Sequence, residues 1–185
     1  SSPMPSLSFD RAADIYDDTR GFPPGIAEVV ADAALEMIPG RRVLEVGIGT
    51  GRVAKPLLMR GVSVTGADLS RQMMRRLTET LPEGTSPPPL AQADAALLPF
   101  ASGVFDAVLS IHVFHLIADW RAALEEGRRV LRSADAVSGR RGGVFLTGWE
   151  WRPQDSPGQR ILRKWREIVA ARGAAVGQVH PGSQD

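Results

Sequence analysis

The chain has 185 residues, 43% hydrophobic and 23% charged, enough for one domain with a sizeable core and the balance of an ordinary globular protein. Its formal net charge of +1 gives no global pull toward nucleic acid or an anionic membrane surface. It has no cysteines, which excludes disulfides, thiolate nucleophiles and cysteine-ligated metals. No basic-then-apolar leader and no apolar run of membrane-spanning length stand in the sequence, so a cytoplasmic protein without a membrane partner is expected.

The stretch 1–8 is rich in Ser and Pro. Ile26, Val29, Val30, Ala33, Ala34 and Met37 then recur at helical spacing, and Pro39-Gly40 stops that helix. Short apolar runs alternate with helical stretches from there on. Val43–Val46 reads as a strand, Val53–Arg60 as a helix and Val62–Ala67 as a second strand. Ser70 can cap a helix carrying Met74, Leu77 and Leu81, and Pro87 to Pro89 break the chain before a third apolar run, Leu90–Ala93. Ala107–Ile111 is apolar enough for a strand buried on both faces. Asp119 is placed to cap a helix with Trp120, Ala123, Leu124, Val130 and Leu131 inward, and Gly143–Thr147 reads as a fifth strand. A last helix would carry Ile161, Leu162, Trp165, Ile168 and Val169. Alternation at this period predicts an α/β, doubly wound, mainly parallel sheet with helices on both faces.

The decisive stretch is Val43-Leu44-Glu45-Val46-Gly47-Ile48-Gly49-Thr50-Gly51-Arg52. Its three glycines sit where a strand turns into a helix, a place that needs a tight turn and close approach of backbone to ligand. A dinucleotide-binding loop would read G-x-G-x-x-G, but Arg52 stands where the third glycine counted from Gly47 would fall. The pattern is acidic-x-G-x-G-x-G instead. Glu45 at the strand end repels a pyrophosphate and suits a cation such as a sulfonium or an α-ammonium group. Asp68, 17 positions after Gly51, ends the second strand where an acid can accept hydrogen bonds from both hydroxyls of a ribose. The plainer alternative is that it starts the next helix, a role Ser70 already fills.

These residues resemble the class I S-adenosylmethionine (SAM)-dependent methyltransferases, particularly the small-molecule group that includes the ubiquinone and menaquinone C-methyltransferases. The resemblance spans about Phe9 to Glu150. V-L-E-V-G-I-G-T-G is similar to the family's first motif and G-A-D-L-S to its second. Ala93-Asp94-Ala95 with Leu98-Pro99-Phe100 is similar to the third, and Phe105 to Ser110 to the fourth strand. The resemblance implies a Rossmann-like fold in which Glu45, Gly47, Gly49, Thr50 and Gly51 hold the amino-acid part of SAM. It further implies Asp68 and Leu69 around the ribose, Asp94 and Ala95 at the adenine, and Ile111 beside the methionine portion. Two departures stand out. A polar stretch from Ser133 to Arg141 replaces the usual Pro-Gly-Gly turn, as a lengthened surface loop would. Only 36 residues follow Trp149, so the family's closing strands are expected to be missing.

The expected organisation is a helical cap over 1–40, a SAM-binding core over 41–150, and a helix and tail over 151–185 belonging to an incomplete substrate side. The expected function is direct methyl transfer from the sulfonium to a small molecule. A nicotinamide-dependent oxidoreductase is the alternative with a different chemistry, and a SAM-binding protein without turnover is the alternative with the same fold. Positioning and exclusion of water supply most of the rate of such a transfer. His112 and His115 follow the fourth strand, either as a general base or as packing residues. They lack a third ligand, so no metal is expected. Tyr16 is either a lid over the cofactor or a packing residue, and Trp149, Trp151 and Trp165 either line an acceptor pocket or fill core. Asp106 and Asp119 are poor candidates for the paired acids of an aminopropyl transferase. Arg71, Arg75 and Arg76, and likewise the basic stretch Arg128 to Arg132, read as solvated helix faces.

Overall fold

A computed structural model of the chain describes residues 25–148 apart from 112, 114 and 115. The chain forms two compact units, 1–147 and 148–185, and the description below concerns the first, together with Gly148. Helix α1 (Ile26–Met37) ends where Ile38, forced into extended backbone by Pro39, donates its N–H back to the Ala34 carbonyl. Then follow β1 (Arg42–Val46), α2 (Ala54–Met59), β2 (Ser63–Asp68), α3 (Arg71–Glu79), β3 (Leu90–Gln92), β4 (Ala107–Ile111), α4 (Trp120–Val130) and β5 (Val144–Gly148). The strands form one parallel sheet in the order β3-β2-β1-β4-β5.

Strand alternation divides the core between the two faces. Val43, Val64 and Leu109 look to one side, where Ala31 of α1, Ala54 and Leu57 of α2, and Met74 and Leu77 of α3 cover them. Leu44, Val46, Ala67 and Val108 look to the other, against Leu98, Phe105 and Val130 of α4. Both helix starts predicted from sequence hold: the Ser70 hydroxyl accepts from the Met73 N–H at 3.1 Å and an Asp119 oxygen from the Ala122 N–H at 3.0 Å. Two faces differ from expectation. On α1 the buried residues are Ala31 and Ala34, while Val29 and Met37 are exposed. On α4, Leu124 is exposed and Gly127 turns inward, leaving room for the Phe145 ring of β5.

The basic stretch 128–132 corrects the sequence reading. Arg132 is buried, its guanidinium against the Asp106 carboxylate without hydrogen-bond alignment at Nε, and its Nη2 donates to the Pro39 carbonyl. Asp106 also accepts from the Arg42 N–H at 2.9 Å. Arg129 pairs with Glu126 and donates to the carbonyls of Leu98 and Phe100, while Glu126 accepts from the Leu98 N–H. Both arginines thus fasten loops at the amino ends of the strands. Asp106 and Asp119, spent on these structural contacts, do not form a paired-acid site.

Removing one partner of a buried ion pair strands the other charge. Arg132→Ala is expected to lower unfolding free energy by about 3–5 kcal/mol in urea titrations, and Arg132→Met combined with Asp106→Leu to recover most of it. A loss under about 1 kcal/mol for Arg132→Ala would show that solvent reaches the pair as it does a surface bridge.

Candidate active site

Consecutive strands run outward from β1 to β2 and β3, and the chain then returns to place β4 on the other side of β1. That reversal opens a crevice beyond the carboxyl ends of β1 and β4, the place where open parallel sheets bind ligands. The glycine loop leaves β1 there. Gly47, Gly49 and Gly51 all have positive φ, of 73°, 53° and 78°, backbone that a side chain disfavours. Space excludes a side chain at two of them: a Cβ on Gly47 would collide with Val113, and one on Gly51 would lie 2.6 Å from Leu77. At Gly49 a Cβ would meet only Met73 at 3.4 Å and the Gly47 carbonyl. The middle of the loop is therefore its open part.

Hydrogen bonds fix the loop to β2. The Gly47 and Ile48 N–H groups donate to the Ala67 carbonyl, and the Gly49 N–H to Asp68 Oδ2 at 2.8 Å. The second oxygen of Asp68 accepts from the Ser70 N–H, also at 2.8 Å. Asp68 thus ties the loop and starts the next helix. It remains partly exposed, and each carboxylate oxygen can accept more than one bond.

Glu45 sits between Gly66 of β2 and Leu109 of β4 in the sheet register and is 3% exposed. One of its oxygens accepts from the Ala54 N–H at the start of α2, and Oε2 has no partner among the described residues. Burial pushes its carboxyl up to about 8; Arg52 and the Ala54 N–H oppose the shift and the Asp68 charge adds to it. An unpaired buried acceptor of this kind is costly and is met most cheaply by a cation or a strong donor. The glycine cradle and that oxygen fit the α-ammonium end of SAM.

The other expected residues lie along the same edge. Thr50 is buried, and Leu69 presents its carbonyl to the Gln92 side chain. Asp94 follows β3 and turns back to accept the Ala96 N–H at 2.9 Å, with Ala95 packed against the second core. Ile111, half-buried, ends β4. Val113 was not singled out from the sequence, yet it packs on Gly47; a β-branched residue just past a buried strand was its only signal. His112 and His115, Tyr16, and Trp149, Trp151 and Trp165 lie outside the described residues.

The profile of the methyltransferase domain family matches residues 44–136, from within β1 through the glycine loop to beyond α4. The chain belongs to that family. It is 38% identical over 100 residues to the phosphatidylethanolamine N-methyltransferase of Cereibacter sphaeroides, covering 53% of this chain and 49% of that protein. To the malonyl-[acyl-carrier protein] O-methyltransferase of Geobacter sulfurreducens it is 34% identical over 127 residues, 67% of this chain and 47% of that one. The crystal structure of a putative SAM-dependent methyltransferase from Methanococcus maripaludis superposes with a TM-score of 0.65 at 19% identity, over 92% of this chain and 80% of that one, a likeness of fold. The chain spans about half the length of the curated relatives it matches. The cofactor of this methyltransferase family is SAM, and no described helix is long and apolar enough to cross a membrane.

The raised Glu45 carboxyl carries a sign for stability. Folded, it keeps its proton up to about 8, while its ordinary value is 4.5. The stability tied to it is complete below the lower value and is lost as pH rises through the upper one. Wild type is expected to lose stability across that window in urea titrations, and Glu45→Gln, neutral at every pH, to hold steadier. Parallel curves for the two proteins would mean that Glu45 is already ionised when folded.

Proposed function

We propose that this domain binds SAM in the crevice between β1 and β4 and transfers its methyl group to a small-molecule acceptor. The observation that carries the reading is the unpartnered, buried Oε2 of Glu45 at the base of a glycine loop whose middle is open. In this reading Glu45 faces the α-ammonium group, with Gly47, Gly49, Thr50 and Gly51 giving their backbone to the amino-acid part. Asp68 and Leu69 take the ribose, Asp94 and Ala95 the adenine edge, and Ile111 the methionine chain.

When bound, SAM supplies a methyl group on a sulfonium, whose leaving thioether needs no protonation. What remains for the chain is to hold that methyl in line with the acceptor and to keep water away. Val113 and Ile111 contribute apolar surface at the end of β4 for the second task. Trp149, Trp151 and Trp165 are of the type that lines an apolar acceptor site.

A ligand present at 100 times its Kd stabilises the folded state by about 2.7 kcal/mol. SAM and S-adenosylhomocysteine are therefore expected to raise the melting temperature in a thermal-shift series, and NAD and NADP to leave it unchanged. A shift with NAD and none with SAM would overturn the reading in favour of an oxidoreductase.

Asp68→Ala should weaken SAM binding by about 2–4 kcal/mol, because charge-assisted hydrogen bonds are worth roughly 1.5–3 each and add incompletely. Its bond to Gly49 adds a consequence: the amino-acid end should also loosen. Calorimetry with S-adenosylhomocysteine and with adenosine is expected to show the larger loss for the former. Unchanged affinity for both would reduce Asp68 to a loop and helix-start residue.

A further inference from the structure

The surroundings of Glu45 are set against a bare charge. Oε2 is buried without a partner and the side chain is almost wholly withdrawn from water. Asp68, whose two oxygens are committed to the Gly49 and Ser70 N–H groups, brings a second negative charge to bear on it. Acting the other way are the Ala54 N–H on the opposite oxygen and the Arg52 guanidinium. The helices packed on this face bring other charges, several of them engaged elsewhere. Asp32 of α1 pairs with Arg60, Lys55 of α2 donates to Thr80, Arg71 of α3 donates to Gln92 and Arg75 pairs with Glu79. A carboxylate with one oxygen dry and unmet is strongly disfavoured unless it is neutralised, and the cheapest neutralisation is a proton.

We propose that Glu45 carries a proton in the ligand-free domain and gives it up to solvent when the cofactor's α-ammonium group settles against Oε2, so that each cofactor bound releases one proton. This rests on the SAM reading above. The exchange balances: one positive charge enters the pocket as ammonium, one leaves as a proton, and the carboxylate that remains is paired. The upward push on the Glu45 carboxyl, to about 8, agrees with a proton held at neutral pH. Affinity for ligands that carry the ammonium group should then rise with pH, toward about tenfold per unit, until the free carboxyl ionises by itself.

The test is calorimetry on the full chain with S-adenosylhomocysteine at pH 6.5, in two buffers of different ionisation enthalpy. That pH is below the range in which an α-amino group titrates, about 7.7–8.0. The comparison ligand is 5′-methylthioadenosine, which keeps the nucleoside and thioether and lacks the ammonium. The expected result is release of close to one proton with S-adenosylhomocysteine and affinity rising up to about tenfold from pH 6 to pH 7. With 5′-methylthioadenosine no proton should be released, and Glu45→Gln should bind S-adenosylhomocysteine without release. Binding of S-adenosylhomocysteine to wild type without proton release, or equal release with both ligands, overturns the inference and leaves the SAM reading standing. Binding of neither ligand overturns the SAM reading and the inference with it.

Discussion

The hydrogen bond from the Gly49 N–H to Asp68 Oδ2 joins the turn after β1 to the end of β2, and most of the crevice follows from it. Three successive positive-φ glycines would otherwise be a loose connection, since glycine gives up more conformational freedom on ordering than any other residue. Asp68 holds the middle of that turn, while Ala67 holds its start through two N–H groups. With the turn fixed, α2 begins at Ala54 and its first N–H reaches the Glu45 side chain. The burial of Glu45 is thus a consequence of loop geometry, and the loop geometry is a consequence of a carboxylate on the neighbouring strand.

The opposite edge of the sheet is held by different means. There the Asp106–Arg132 pair reaches Pro39 before β1, and Arg129 with Glu126 fastens the stretch 98–102 that leads toward β4. These charges are neutralised within the fold, each oxygen of Asp106 and Glu126 already holding a partner, whereas at the carboxyl edge Oε2 of Glu45 is left unmet. Asp106 and Glu45 differ in this accounting of partners and not in exposure, since both are buried.

Local chemistry explains what could be read from the sequence. The caps at Ser70 and Asp119, the strand Ala107–Ile111 and the glycine turn depend on residues within a few positions of one another, and all are found where expected. The roles of Arg129 and Arg132 depend on partners 31 and 93 positions away, so a basic stretch with solvated spacing concealed two buried fastenings. The same holds for α1, where helical spacing singled out Val29 and Met37 but the buried residues are Ala31 and Ala34. Val113 belongs with these: its contact with Gly47 arises from the parallel pairing of β1 with β4, two strands some sixty residues apart in the chain.

Electrostatics bears on the kind of ligand such a crevice can take. A dinucleotide site turns a helix N-terminus toward a pyrophosphate, but here the first N–H of α2 is already taken by Glu45. A phosphate brought to the loop would face two carboxyl groups and lose the donor that should bind it. A ligand with a positive end meets the reverse situation, because desolvation has left Oε2 waiting for charge and the low-dielectric surroundings strengthen the attraction once formed. The relatives named for an N-methyl and an O-methyl acceptor share this half of the protein and differ in what they methylate.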